Sequence, residues 1–158
     1  MKPELSLAAL SLALCLGGCA LMSPVQVGMS RAEVASRLGT PAAVVPIGSG
    51  SRLQYSGQPS GQYAWMVDLD AEQRVTQARQ VLTEREFTRL DSGVWSRQDV
   101  EREFGRPAAI EHVASWPGEI MTYRWNDGVD RFYWVYLDDS NTVRRSHAGY
   151  EYRDTNRD

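Results

Sequence analysis

The amino-acid sequence contains an internal repeat, which limits the fold to two copies of one small unit. The segment Ser30–Ala43 (SRAEVASRLGTPAA) returns as Ser96–Ala109 (SRQDVEREFGRPAA), 66 positions later. Further along, the offset is 68, and five residues of the first copy find identical partners in the second: Tyr55 and Tyr123, Val67 and Val135, Leu69 and Leu137, Asp70 and Asp138, Val75 and Val143. Two copies are too few for a solenoid, so we predict two small domains in tandem within 158 residues.

Each copy begins with a helix whose ends can be read from the sequence. A serine stands three residues before a carboxylate, as in a capping box, in both copies: Ser30 and Glu33, Ser96 and Asp99. A glycine expected in the left-handed conformation, followed two residues later by a proline, ends each helix: Gly39 and Pro41, Gly105 and Pro107. A further capping box from Thr83 to Glu86 predicts another helix that runs to about Leu90.

Strand signals follow each helix. Short runs rich in Val, Tyr, Trp and Ile cover residues 43–47, 53–55, 63–69 and 75–82 in the first copy, and 109–113, 120–125, 131–137 and 142–148 in the second. Residues 48–51 and 56–61 are predicted loops. The predicted fold class is therefore α+β, with two tandem domains (28–82 and 83–152, then a polar tail, 153–158). Each domain is predicted to pack a short helix or helix pair on a three- to four-stranded antiparallel sheet.

The first 18 residues are typical of a lipoprotein signal peptide. Leu5–Leu16 is an apolar run of 12 residues, which is shorter than the roughly 20 residues that a membrane span needs and has the length of a signal-peptide core. The run ends in Leu16-Gly17-Gly18-Cys19, which resembles the lipobox of bacterial lipoproteins. This resemblance implies cleavage between Gly18 and Cys19 and acylation of Cys19. The alternative is a plain secretory signal with a chance cysteine.

An acylated Cys19 would attach the mature chain to outer-membrane lipid. Two or more acyl chains give stable anchoring, and Ala20 after the cysteine resembles the enterobacterial signal for the outer membrane rather than for retention at the inner one. Residues 19–27 form a short tether, of which the eight residues after Cys19 span at most about 26 Å. We therefore expect the first repeat to lie near the periplasmic face of the membrane, with the second repeat beyond it.

Composition and motifs give little support for catalysis. A net charge of −3 with mixed signs offers no footprint for nucleic acid. His112 and His147 are the only histidines, and no Gly-x-Ser-x-Gly motif occurs in a strand–turn–helix context. The acidic run Asp68-x-Asp70-x-Glu72 begins like a calcium loop but has Gln73 where such a loop requires glycine. We predict a non-enzymatic protein with no catalytic residues, metal, cofactor or small-molecule substrate; an envelope hydrolase is the alternative with the least support.

The two third strands differ on one face. One face is apolar in both copies, as expected of a core: Trp65, Val67 and Leu69, and Tyr133, Val135 and Leu137. The opposite face carries Ala64, Met66 and Asp68 in the first copy but Phe132, Trp134 and Tyr136 in the second. Such an aromatic stripe needs a cover. It is either buried within the molecule, under the helix of residues 83–90 or the first sheet, or it binds a partner.

These motifs together resemble the SmpA/OmlA-like lipoproteins, the family of BamE, an accessory lipoprotein of the outer-membrane β-barrel assembly machinery. The resemblance rests on Gly28-Met-Ser-x-x-Glu-Val-x-x-x-Leu-Gly-x-Pro41, on Tyr55…Trp65-x-Val-x-Leu-Asp…Val75, and on the lipobox. It implies a helix pair on a small antiparallel sheet, the unit also found in the β-lactamase inhibitor protein. It further implies an accessory role in barrel assembly or envelope integrity through protein contact, with the β-barrel assembly complex as partner. The alternative is a β-lactamase inhibitor-like or other ligand-binding envelope module.

Three departures from that family pattern stand out. Family members usually carry one such domain, whereas this chain has two. The helix that normally precedes the Gly-Met-Ser motif has no room in the first copy. The turn in which the family pattern has glycine after the aspartate, here Asp70 or Asp138, holds Gln73 in one copy and Asn141 in the other.

Overall fold

The computed structural model describes residues 25–151, which form two four-stranded antiparallel sheets and a few short helices. The first repeat contains α1 (Arg31–Leu38), β1 (Ala43–Ile47), β2 (Gly50–Ser56), β3 (Ala64–Leu69) and β4 (Val75–Gln80). The second contains α2 (Glu84–Phe87), a 3-10 turn (Thr88–Asp91), α3 (Arg97–Phe104), β5 (Ala109–Glu111), β6 (Ile120–Asn126), β7 (Asp130–Leu137) and β8 (Val143–Tyr150). Strands lie in chain order in each sheet, which confirms the predicted α+β class.

Both predicted capping boxes form at the starts of α1 and α3. Ser30 Oγ accepts from Glu33 N at 3.3 Å, while the Glu33 carboxylate accepts from Ser30 N at 2.7 Å. Ser96 and Asp99 repeat this exchange at 3.2 and 3.0 Å. These reciprocal bonds satisfy backbone donors that the first helical turn leaves without partners, so the helix starts are encoded locally.

The helix ends differ in detail from the prediction. Gly39 and Gly105 have positive φ values of 76° and 79°, as predicted, but their ψ values of −152° and −172° are extended rather than left-handed helical. Residues with a Cβ rarely adopt this combination of positive φ and extended ψ. Glycine is therefore required at both positions even more strictly than in the predicted left-handed helical conformation.

The third capping box forms only in part. Thr83 Oγ1 accepts from Glu86 N at 3.3 Å, but the Glu86 carboxylate turns away from the helix start and pairs with Arg79 at 2.7 Å and Arg89 at 3.0 Å. The α-helical part ends at Phe87 and continues as the 3-10 turn Thr88–Asp91, which reaches the predicted end near Leu90.

The loop predicted at residues 48–51 is a tighter hairpin. Only Gly48 and Ser49 form the turn, and Gly50 already pairs with Ile47. A Cβ on Gly50 would overlap the Leu69 carbonyl oxygen of β3. The absence of a side chain therefore lets β2 begin earlier than predicted.

The two repeats stack as four layers: α1, the first sheet, α2 with α3, and the second sheet. Val34 of α1 packs on one face of the first sheet, in a core that also includes Val25. The opposite face of that sheet packs against α3 through Ala64, Met66 and Phe104, and α3 packs in turn on the second sheet. The helix of the second repeat thus lies between the two sheets.

Charged side chains also connect the repeats at this interface. Arg52 of β2 binds both carboxylate oxygens of Asp68, at 2.6 and 2.9 Å, and donates to Glu103 of α3 at 2.8 Å. Burial opposes the charge on Arg52, but the hydrogen bonds to Asp68 and Glu103 outweigh it and raise the pKa of the guanidinium further above its ordinary value. The face bearing Asp68 is therefore internal, and Asp68 is paired there with Arg52.

Candidate docking face on the second sheet

The candidate site is the outer face of the second sheet, the last layer of the stack. Along β7, Tyr133, Val135 and Leu137 are buried, and the alternate residues Phe132, Trp134 and Tyr136 lie on the opposite face, half-buried. This is the period-two alternation read from the sequence.

Neither of the two predicted intramolecular covers lies on this face. The helix at residues 83–90 packs on the core side instead, where Phe87 stacks on Tyr133 with ring centroids 4.0 Å apart. The first sheet faces α3 rather than the aromatic residues. The expectation of a cover by either element is wrong, because the helices already occupy the space between the sheets.

The aromatic rings contact one another instead of a covering layer. Trp134 lies 5.6 Å from Phe132 and 5.2 Å from His147, measured between ring centroids, and His147 stacks on Tyr136 at 5.3 Å. Trp116, from the loop between β5 and β6, meets Tyr136 edge-on at 5.2 Å and donates its indole N–H to the Leu137 carbonyl. Together these rings form what we call the aromatic face: Trp116, Phe132, Trp134, Tyr136 and His147.

Arg145 of β8 adds a positive charge to the aromatic face. Its guanidinium lies 4.0 Å from the centroid of Tyr136 and 5.5 Å from that of Trp116, both within the range of cation–π attraction. Between residues 25 and 151 no carboxylate pairs with it. Partial burial, with a smaller contribution from Arg145, lowers the pKa of His147 below its ordinary 6.5, which favours the neutral ring at neutral pH.

A glycine sets the position of Trp134. Gly149 of β8 pairs with Phe132, and a Cβ at Gly149 would overlap the six-membered ring of Trp134. The indole therefore lies against the backbone of β8 instead of standing away from the sheet. This arrangement flattens the aromatic face toward the edge of the sheet.

A groove runs beside these rings. It has a volume of about 540 Å³ and is lined by Trp116, Tyr136 and Arg145, with Glu111 and Ile120 among the residues of its other wall. Glu111 accepts from Thr122 Oγ1 at 2.7 Å. Aromatic rings with a few polar groups and one unpaired cation are typical of a binding surface.

The other residues singled out from the sequence do not assemble into a reactive site. His112 is exposed and lies 3.6 Å from Glu119, far along the chain from His147 on the aromatic face. Asp70 and Asp138 accept backbone hydrogen bonds within turns. Within the part of the chain that the structure describes, no three His, Cys, Asp or Glu side chains lie where they could hold a metal ion. Gly18 and Cys19 lie outside the described residues.

Sequence reasoning missed Arg145 and Gly149 as parts of this face. A hairpin centred on the turn at residues 138–142 places Arg145 opposite Tyr136 and Gly149 opposite Phe132. That pairing could have been counted from the turn, apart from the bulge beside Leu137, which shifts the register.

Comparison with known proteins leaves the family open. No protein-family model matches the chain, and no curated protein matches it. Among solved structures, the crystal structure of a DUF4309 family protein (YjgB) from Bacillus subtilis subsp. subtilis str. 168 is 13% identical, with a TM-score of 0.31, over 77% of this chain and 78% of that chain. Likeness at this level carries no conclusion about fold or function. None of the helices between residues 25 and 151 is long and apolar enough to cross a membrane.

Proposed function

We propose that this protein is a lipid-anchored accessory protein on the periplasmic face of the outer membrane. Its role is in outer-membrane β-barrel assembly or envelope integrity, and it acts by protein–protein contact rather than by catalysis. The observation that carries the proposal is the aromatic face, which no described element of the chain covers. Large aromatic side chains with an adjacent arginine are the residues enriched at the centres of protein interfaces.

The sequence supports the anchoring part of the proposal through the lipobox at Cys19 and the resemblance to the SmpA/OmlA-like lipoproteins. Val25 is 4% exposed in the core beneath α1, so the proposed tether would end before residue 25 rather than at residue 27. Six peptide steps from Cys19 to Val25 span at most about 20 Å. The first repeat would therefore be held against the membrane surface, close to membrane-embedded partners.

Fractionation of cell envelopes tests the anchor. The Cys19→Ser variant should move from the outer-membrane fraction to the soluble periplasmic fraction, because acylation needs the thiol. A Ser23→Ala variant in the same tether keeps the thiol and serves as the control. Continued sedimentation of Cys19→Ser with the outer membrane would falsify the anchoring claim.

Crosslinking and co-purification from intact envelopes test the partner. Trp134→Ala should reduce recovery of barrel-assembly components with the lipidated protein, since it removes one of the two indole rings of the aromatic face. Tyr63→Ala provides a matched control, because Tyr63 is an exposed aromatic residue (50%) on the first repeat. Thermal unfolding of both variants separates lost binding from lost folding. Unchanged recovery with Trp134→Ala, or recovery of a soluble enzyme in place of assembly components, would contradict the proposed role.

A further inference from the structure

The free edge of the second sheet lies directly beside the aromatic face. Strand β8 has eight residues and is an edge strand of its sheet, so it has a neighbour on one side only. At its start, Val143 N donates to the Trp95 carbonyl at 2.8 Å, which covers the first residue of the edge. The remainder of β8 extends beyond that cover.

The hydrogen bonds of the sheet show which backbone groups of β8 point outward. Glu151 N donates to the Asp130 carbonyl, so residue 151 and, by alternation, residues 149, 147 and 145 direct their N–H groups at β7. Leu137 N donates toward the other neighbour, at Glu119, which fits the same alternation. The N–H and C=O groups of Ser146 and Ala148 therefore point away from the sheet, and no group among residues 25–151 binds them.

The other sheet edges are less available to an added strand. Strand β1 contains Pro46, a residue that blocks pairing on an edge. Strand β5 has only three residues. Strand β4 has six, and the chain leaves it at Val81 to cross to the second repeat. In contrast, β8 has no proline, and Ala148 is exposed even though it lies on the core side of the sheet.

The surroundings of β8 define which strand would fit. On the outer face, a strand paired with β8 would lie beside His147 and Gly149, with the indole of Trp134 within reach, so large apolar or aromatic side chains would be favoured there. On the opposite face it would adjoin Ser146 and Ala148, which favour small or polar residues. This alternation of large apolar and small polar residues is that of the strands of membrane β-barrels.

We propose that β8 binds, by strand addition, an extended segment of an unassembled membrane β-barrel. The segment hydrogen-bonds to Ser146 and Ala148 and continues the aromatic face with its own apolar side chains. This inference rests on the proposed function for the origin of the segment, but the binding mode can be tested with purified protein.

Amide hydrogen exchange measured by NMR gives the most direct test. The probe is an acetylated peptide of about ten residues in which Tyr or Val alternates with Ser or Thr, the length of a barrel strand. Exchange at the Ser146 and Ala148 amides should slow by about tenfold or more when the peptide is added, whereas the amides of His147 and Gly149 are already bonded within the sheet. A peptide of the same composition with its apolar residues in one block is the control, and it should not protect these amides.

Proline substitution provides a second test. Ala148→Pro removes an outward N–H and should abolish peptide binding measured by fluorescence anisotropy. Ala78→Pro is the matched control, because Val81 N bonds to the Ala64 carbonyl and the same alternation points Ala78 N outward from β4. Thermal unfolding checks both folds. Ala148→Lys keeps the N–H but places a charge on the edge, and it should weaken binding if the proline variant does not fold.

Two other outcomes would overturn the inference that β8 binds a barrel strand. Peptide binding that shifts Trp134 and Tyr136 signals without protecting Ser146 and Ala148 would mean docking on the aromatic face alone. Protection that rises with protein concentration in the absence of peptide would mean that β8 pairs with a second copy of the chain. Neither result would affect the fractionation and co-purification tests, so failure of this inference is distinguishable from failure of the proposed function.

Discussion

Arg52 and Glu103 join the two repeats across the centre of the stack, with 2.8 Å between Nη1 of Arg52 and Oε1 of Glu103 and with 6% and 14% of their side chains exposed. Removal of the arginine leaves Glu103 and Asp68 as buried carboxylates with one cation fewer. We expect Arg52→Met to lower the free energy of unfolding by about 3–5 kcal/mol, measured by urea denaturation. Arg144→Met, whose guanidinium pairs with Asp138 and is 60% exposed, should cost no more than about 1 kcal/mol. Equal losses in the two variants would contradict a buried link.

The carboxylate of Glu103 makes the stability of the fold depend on pH. Burial acts to raise the pKa of Glu103, but hydrogen bonds and charge from Arg52 and then Arg89 outweigh it and hold the pKa below its ordinary 4.5. A carboxyl with a lowered folded-state pKa stabilises the fold above its unfolded pKa and loses that contribution as the pH falls through the folded value. Wild type should therefore exceed Glu103→Gln in free energy of unfolding at pH 7, and the difference should begin to shrink as the pH falls below about 4.5. A difference that stays constant down to acid pH would exclude this linkage.

Gly149→Ala should displace the indole of Trp134. The added Cβ overlaps the far end of that side chain, which can rotate away, so the loss of stability should be no more than about 1 kcal/mol. Near-UV circular dichroism should change. Under the proposed function, recovery of barrel-assembly components should also fall, as expected for Trp134→Ala. Ala148→Ser, one position away without a ring above it, should leave the spectrum unchanged. An unaltered spectrum in Gly149→Ala would show that the indole does not rest on β8.

The two turn residues with positive φ should respond differently to glycine. Gln73 and Asn141 have φ values of 60° and 57°, and an L-residue other than Asn or Asp is strained there. Gln73→Gly should raise the free energy of unfolding, measured by urea denaturation, by about 0.5–1 kcal/mol. Asn141→Gly should raise it by less, because asparagine tolerates this conformation. Gln73 also accepts a hydrogen bond from Arg31 at 3.2 Å on the surface, so comparison of Arg31→Met with the Arg31→Met/Gln73→Gly double variant measures the effect of glycine without that contact. A larger gain at Asn141 would reverse the expected order.

Local signals in the sequence predicted most of the fold. The capping boxes at Ser30 and Ser96 fixed the helix starts because each depends on residues three positions apart. Alternation separated the two faces of β7 for the same reason: the period of a strand is a local property. The turns predicted at Gln73 and Asn141 also form, and both residues adopt the positive φ that glycine usually supplies there.

The layer order could not be predicted in this way. Whether a sheet face is internal depends on a helix from the other repeat, and Arg52 and Glu103 are 51 residues apart. The small residue Ala64 is consistent with close approach by another element, but it does not indicate which element approaches. Glu86 shows a related limit, because its carboxylate pairs with Arg79 of the preceding strand β4 and does not complete the predicted capping box.

The stacking of the four layers also sets the distance between Val25, near the start of the described chain, and the aromatic face. Val25 belongs to the core beneath the first layer, whereas the aromatic face and the free edge of β8 lie on the last. Three layer spacings of about 10 Å separate them, or roughly 30 Å. Buried ion pairs of Arg52 and Glu103 connect the middle layers, so an anchor at Cys19, as proposed, would place the aromatic face about 30 Å farther from the bilayer than Val25.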